Sequence, residues 1–414
     1  MSRYTSITEQ DLEVMLGAIG VGSVEELFAD IPQSVRLDRE IQLPPGRSEQ
    51  EVHDHLAALA SRNRHSDAEV SFLGAGMYDH YVPAVIDNLL SRSEFLTPYT
   101  PYQPEISQGG LQVMFEFQTA ISELTGLPVS NASVYEGPSA VAAAGYLAKL
   151  ETGRGRLVAS RGLHPHSRAA LRTHAVGYGM EVEEVPLTAE GATDLEALAA
   201  AVDDDTAAVF VQQPNFLGTV EELGALGEAG GRTGALVVCS ADPLVLGILK
   251  PPGEQGVDIC VGEGQTLGNR LDFGGPSFGF FAAADRFLRK MPGRIAGETR
   301  DVDGRRGFVL TLQTREQHIR REKATHNICT SQALNALAGT AYLSWLGREG
   351  LVELSTLMLR RTAYAREAGI NPGLPLRGVL PEYEDGLLVA ITERRTKEQI
   401  DALAAVASRT EVPA

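Results

Sequence analysis

Between residues 156 and 263 the chain alternates short apolar, β-branched runs with helical stretches, and this rhythm restricts the fold more than any other feature. RLVAS is followed by HSRAALRTHAVG, AAVFVQQ by EELGALGEAG, and then come ALVVCS and VDICVG. Apolar runs without polar alternation are strands buried on both faces, and strand, helix, strand in succession builds a parallel sheet covered by helices. The fold class is therefore α/β. The runs end abruptly in polar residues, so Gln212, Gln213, Asn215, Ser240 and Asp242 fall at carboxyl ends of strands, where open parallel sheets hold their ligands.

The flanking segments follow other rules. EQDLEVMLGAIG and EVHDHLAALASRN place apolar residues at helical spacing, and the link between them carries IPQSV and LPPG, so residues 1–65 are expected to form a helical amino-terminal arm. Such an arm either wraps a neighbouring chain or caps its own. The large α/β domain is expected over 66–320. Residues 321–414 are expected to form a small α+β domain made of one long helix (SQALNALAGTAYLSWLGREGLVELSTLMLRRTAYAREAG), one strand (GLLVAITE) and a last helix (KEQIDALAAVAS).

Composition removes several classes of function. At 414 residues and 43% apolar the chain can bury a large core, yet no apolar stretch approaches bilayer length and MSRYTSITEQDLEVML is no signal peptide. A soluble, cytoplasmic protein that does not engage membranes is expected. Cys239, Cys260 and Cys329 are odd in number and lack paired spacing, which fits a reducing compartment without a disulfide framework. The net charge of −18 argues against a nucleic-acid partner. Only five lysines occur (Lys149, Lys250, Lys290, Lys323, Lys397), and acid excess with so little lysine points to a salt-rich cytoplasm in which carboxylates keep the surface hydrated.

Residues 97–109 read TPYTPYQPEISQG. Pro98, Pro101 and Pro104 each pin their own φ and push their predecessors out of the α region, which makes a fixed, extended loop presenting Tyr99, Tyr102 and Gln103 in a defined order. It either covers a domain edge or binds something. The helix after it, LQVMFEFQTAISELTG, ends at Gly126. His80, between Tyr78 and Tyr81 in GMYDHYVP, is a second candidate, for function or for loop packing. His53 with His55 and His164 with His166 stand two apart; a metal site is disfavoured because the first pair lies in a helical pattern and LHPHSR opens a helix.

The stretch VGEGQTLGNRLDFGGPSFGFF (261–281) has neither a Walker ending nor a Rossmann fingerprint. Asp242 after one strand, then the strand VDICV, then this loop, follow the order found in fold-type-I pyridoxal-phosphate enzymes. There an Asp supports the pyridine nitrogen and a Lys after the next strand forms the Schiff base; here that place holds Gln265 or a neighbour. Together with SFLGAGMYDHYVP, FLTPYTPYQPEISQGGLQVMFEFQT, NASVYEGPSAVAAA, CSADPLVLGILKPPGEQGVDICVGEGQTLG and GRIAGETRDVDGRRGFVLTLQTREQHIRREKATHNICTSQAL, the chain resembles subunit 1 of the two-chain glycine cleavage system P-protein family nearly end to end.

The resemblance implies a fold-type-I, transferase-like fold and an α2β2 assembly. It implies that pyridoxal 5'-phosphate is held by the partner, subunit 2. Glycine is the substrate, and the lipoyl group of H-protein accepts the aminomethyl group as carbon dioxide leaves. The chain's own pocket would be vestigial: Tyr135, Glu136 and Gly137 occupy the phosphate-loop place, where Glu136 at a helix start repels a phosphate dianion, and Asp242 and Gln265 remain around it. The resemblance also implies that the proline loop and REKATHNICT lie at the subunit interface. Tyr99, Tyr102, Gln103, Glu105, Gln108 and His80 are candidates there, and Arg320, Arg321, Lys323, His326 and Asn327 offer cationic or hydrogen-bonding groups to glycine's carboxylate or an acidic carrier. An ion pair of Arg320 or Arg321 with Glu316 or Glu322 is the plainer alternative. Rival readings are a self-sufficient pyridoxal decarboxylase or aminotransferase using Lys250, and a catalytically silent scaffold. The chain departs from the family between AYAREAG and INPGLPLRG, where a strand and a helix are missing, so disorder beyond about residue 365 is expected.

Overall fold

The computed structural model describes residues 6–64, 69–324, 328, 330–367 and 374–407. Its contacts divide the chain into Met1–His65 and Ser66–Ala414.

In the first unit, α1 (Glu9–Ile19) and α2 (Glu49–Ala60) both begin with a capping box, Thr8 with Asp11 and Ser48 with Glu51. Each hydroxyl accepts an N–H of the first turn and each carboxylate accepts the cap residue's own N–H, which explains sharp starts in a chain segment with little packing. Neither helix has a buried residue; Val14, Met15, Ile19, Leu56 and Leu59 are exposed.

The second unit runs α3 (Ala84–Leu90), α4 (Ser93–Leu96), α5 (Gln108–Thr125), β1 (Val129–Ser130), α6 (Gly137–Thr152), β2 (Arg156–Ser160), α7 (Pro165–Tyr178), β3 (Glu181–Val185), α8 (Leu195–Ala201), β4 (Thr206–Gln213), α9 (Leu223–Gly231), β5 (Leu236–Ala241), β6 (Ile259–Glu263) and β7 (Gly279–Ala283). A hairpin, β8 (Ile295–Arg300) and β9 (Arg306–Thr311), follows, then α10 (Gln317–Arg320), α11 (Ala333–Glu367), β10 (Leu374–Pro375), β11 (Leu387–Leu388) and α12 (Lys397–Ala407).

Seven strands form one sheet in the order β1-β7-β6-β5-β4-β2-β3, parallel from β3 through β6, with β7 and β1 added antiparallel. Period-2 alternation sends Val209, Val211, Val237 and Cys239 to one face and Ala208, Phe210, Leu236 and Val238 to the other. The first face packs on α5 (Phe117, Ile121), α9 (Leu223, Leu226) and α11 (Ala338, Tyr342); the second packs on α6 (Ala140, Ala144, Leu147) and α7 (Leu171, Ala175). Full burial of a side chain such as Phe210 contributes about 2–3 kcal/mol. The α/β class with a mainly parallel sheet is thus what the alternation required.

Several details differ from the sequence reading. The first turn of α5 takes in Gln108, and Pro104–Ile106 is a 3-10 turn, so the extended part of the proline loop ends near Gln103. Proline at the start of a turn initiates helical geometry because its φ is already set. The long helix α11 is broken at Gly347 (φ 62°, ψ −176°). GLLVAITE shrinks to the two residues of β11, paired with β10. Within 374–407, Leu376, Leu380 and Ile400 are buried. β3 went unread because its burial alternates at the sheet edge, and the β8–β9 hairpin because its polar outer face hides the Ala296, Phe308 and Leu310 that pack on Leu111 and Met114 of α5.

Candidate functional site

The structure gathers the candidate residues in two places. The first is a cleft of about 1470 Å³ at the carboxyl ends of the parallel strands, lined by Tyr78, Tyr135, Glu136, Gly137, His164 and Asp242 among others. No residue of the proline loop lines it, and neither do Arg320, Arg321, Lys323 or Lys250.

Asp242 directly follows β5; its Oδ1 accepts the Leu244 N–H at 3.0 Å. Burial pushes its carboxyl above the ordinary range, and burial together with the Asp242 charge pushes the Tyr78 phenol up to about 12. His164 caps α7: its Nδ1 accepts the His166 N–H at 3.1 Å, and its Nε2 lies 2.7 Å from the Ala75 carbonyl. A carbonyl only accepts, so the proton sits on Nε2, and burial lowers the ring's pKa and favours this neutral form. Gly76 (φ +100°) lies so close that a Cβ there would meet Nε2 at 2.5 Å.

Gln265, two residues past β6, is 1% exposed, and its amide is fully used. Its Oε1 accepts the Tyr78 N–H at 2.9 Å, while Nε2 donates to the Tyr78 carbonyl at 3.0 Å and to that of Asn269 at 2.8 Å. Gln265 thus ties down the loop that forms one wall of the cleft. The adjoining part of that loop is held from the carboxyl-terminal segment. Arg394 and Arg395 (Nη2, 2.6 Å) pair with the Asp79 carboxylate, and Thr392 Oγ1 donates to the Asp79 carbonyl at 2.8 Å. His80 Nδ1 lies 2.8 Å from Glu393 Oε2, and the Tyr81 N–H donates to Glu393 Oε1. His80 is therefore a buried member of a clamp. Burial would raise the Glu393 carboxyl, but the His80 hydrogen bond, its charge and the Tyr81 N–H bring it below the ordinary range.

The second place is the proline loop against β9 and the segment after it. Gln108 donates to the Pro104 and Phe308 carbonyls at 2.7 and 2.8 Å and accepts the Phe308 N–H at 2.8 Å, so it braces the loop. Pro101 is buried, while Tyr99, Tyr102, Gln103, Glu105 and Ile106 face outward. Tyr102 donates to Glu316 Oε2 at 3.1 Å, packs edge-on against His318 at 5.0 Å and carries the Arg294 guanidinium 5.5 Å from its ring centre. The loop and the REQHIR segment meet through Arg294, Glu316 and His318; the sequence reading names Glu316 only as an ion-pair partner of Arg320 or Arg321, and Arg294 and His318 not at all. Glu316 is engaged with Arg294 and Tyr102; among the described residues no ion pair holds Arg320, Arg321 or Lys323, which are exposed. Arg321 holds φ at 51°, a strained value for a residue with a Cβ. His326 and Asn327 lie outside the described residues.

The profile of the glycine cleavage system P-protein matches residues 2–405. The chain belongs to that family. It is 45% identical to the probable glycine dehydrogenase (decarboxylating) subunit 1 of Brevibacillus brevis over 97% of this chain and 98% of the relative, and 47% identical to that of Geobacillus kaustophilus over 97% of both. A crystal structure of glycine decarboxylase (P-protein) of the glycine cleavage system in inhibitor-bound form superposes with a TM-score of 0.87 at 43% identity, covering 98% of this chain and 99% of that one. A sphingosine-1-phosphate lyase from Burkholderia pseudomallei shares the fold alone, at TM-score 0.57 and 15% identity over 82% of this chain and 78% of that one. The alignment to the Brevibacillus relative spans 439 residues against the 414 of this P-protein chain, so the relative carries residues that this one lacks.

Fold-type-I enzymes hold pyridoxal phosphate with a carboxylate, a lysine and a phosphate cradle. This P-protein chain keeps the carboxylate, Asp242. No lysine lines the cleft among the described residues, and the Gln265 amide is committed to Tyr78 and Asn269. At the phosphate place, Gly137 N–H donates to Glu263 Oε2 at 2.9 Å and Ser139 N–H to Glu136 Oε1 at 2.8 Å. The cleft of this chain does not fit the cofactor.

Proposed function

We propose that this chain is the cofactor-free subunit of a two-chain glycine decarboxylase. The observation that carries the reading is Gln265: its buried amide is spent on the Tyr78 backbone, at the position where a fold-type-I enzyme needs a free lysine. A sister subunit then supplies pyridoxal phosphate in an α2β2 assembly, where the cofactor acts as electron sink for the decarboxylation. Glycine loses carbon dioxide there, and the aminomethyl group passes to the lipoyl arm of H-protein in the cytoplasm.

In this reading the present chain contributes binding and orientation. Tyr99, Tyr102, Gln103 and Glu105 form a wall toward the partner's site, braced from behind by Gln108 and Arg294. Arg320, Arg321 and Lys323, with His326 and Asn327, offer positive charge and donors to glycine's carboxylate or to the acidic carrier. Lys250 is exposed and outside the cleft, which disfavours the self-sufficient enzyme.

The test is purification of the chain alone and with its partner, followed by visible absorption with pyridoxal phosphate and exchange of labelled bicarbonate into glycine. Colour and exchange are expected only in the complex. Colour in the lone chain that disappears in Lys250→Ala would overturn the assignment.

A further inference from the structure

Loss of the lysine explains why this chain forms no covalent bond to a pyridoxal aldehyde, but it does not explain the state of the phosphate cradle. A helix start flanked by a parallel sheet ordinarily leaves first-turn N–H groups that draw a phosphate. In α6 those donors are Gly137 and Ser139, because Pro138 between them has none. Both are taken by carboxylates of the chain itself, Gly137 by Glu263 and Ser139 by Glu136. Glu263 is held as an anion in a site is held: its other oxygen accepts the Gln265 N–H at 3.1 Å and the Ser277 hydroxyl. Close approach leaves little room for anything larger, since a Cβ on Gly137 would meet Cβ, N and Cα of Glu263 at 3.1–3.2 Å. Among the described residues no lysine or arginine lines the cleft to offset the two charges.

We propose that the Glu263 carboxylate, seconded by Glu136, is a built-in anion that fills the phosphate cradle, so that phosphate-bearing ligands are excluded from this chain independently of the missing lysine. The cradle is intact and occupied from within, and removing the two carboxylate side chains exposes a latent site for inorganic phosphate. This inference concerns the isolated chain and stands whether or not the glycine reading holds.

The experiment titrates inorganic phosphate into the full-length wild type, Glu263→Ala and Glu136→Ala/Glu263→Ala at neutral pH, with ³¹P line width and calorimetry as readouts and circular dichroism to establish folding. Wild type is expected to show no saturable binding at millimolar phosphate. The double variant is expected to bind at least about tenfold more tightly than wild type, the factor that each ~1.4 kcal/mol of removed repulsion supplies. Glu263→Ala frees the Gly137 N–H while Glu136 still holds Ser139, and is expected to show a smaller gain; it decides the matter if the double variant does not fold. Saturable phosphate binding by wild type, or folded variants that bind no better than wild type, would overturn the proposal.

Discussion

The cleft and the proline-loop face are built from similar residue types and left in opposite conditions. In and beside the cleft, the polar groups have partners in the chain: Gln265 with Tyr78, Gly137 with Glu263, Ser139 with Glu136, Asp79 with two arginines. On the loop face, Gln108 and Arg294 fix the backbone and one tyrosine from below, while Tyr99 (75% exposed) and Ile106 (81% exposed) are left outward. Apolar side chains held outward on a braced loop make a contact surface, whereas buried polar groups that all have partners make structure. Substitutions should therefore cost stability on one side and partner-dependent activity on the other.

The largest effect is expected at the clamp. Asp79→Ala leaves Arg395 buried without its carboxylate, and breaking such a pair costs about 3 kcal/mol or more. Urea unfolding of the lone chain checks this, and a loss below about 1 kcal/mol would erase the cleft's half of the contrast. Gln265→Ala comes next: it strands the Tyr78 N–H and carbonyl, for about 2 kcal/mol. Hydrogen exchange should quicken at residues 74–82 in that variant and not at 97–107; equal quickening in both would mean that the two regions are one unit.

On the loop face the order of readouts reverses. The combined Tyr99→Ala, Tyr102→Ala and Arg320→Ala variant should lower bicarbonate–glycine exchange of the complex by about tenfold or more, with about 1 kcal/mol or less lost from the lone chain. Full exchange with the triple variant would leave the chain a scaffold that only orders its partner.

How much of this was legible in the sequence depended on whether a residue's role is local. Strand and helix alternation is local, and so are the ends of strands; Asp242 at the end of β5 follows from that order, while Gln265 and Glu136 are singled out only through the resemblance. The proline loop was readable because each proline constrains its own neighbourhood. The contacts of Tyr102 with Arg294, Glu316 and His318 were not, since Tyr102 meets them only after the β8–β9 hairpin folds back on α5. Glu263 escaped for the same reason: its partner Gly137 lies 126 residues away, and a glutamate ending a buried strand gives no sign of which helix it will cap. His80 shows the converse, a histidine between two tyrosines whose surroundings are set by Glu393 across 313 positions.

The smallest effect, and the sharpest test of the clamp's chemistry, is the pH dependence contributed by Glu393. Its carboxyl titrates below its ordinary value of 4.5 in the folded chain, because the charged form accepts from His80 and from the Tyr81 N–H. A depressed folded pKa means that the unfolded chain binds the proton first as pH falls. The contribution is therefore fully present above the unfolded pKa near 4.5 and is lost as pH drops through the lower folded value. Melting curves of wild type and Glu393→Gln from neutral pH down through that window should differ most at neutral pH and converge on the acid side. A difference that stays constant with pH would assign the contribution of Glu393 to its shape and packing and remove its charge from the clamp.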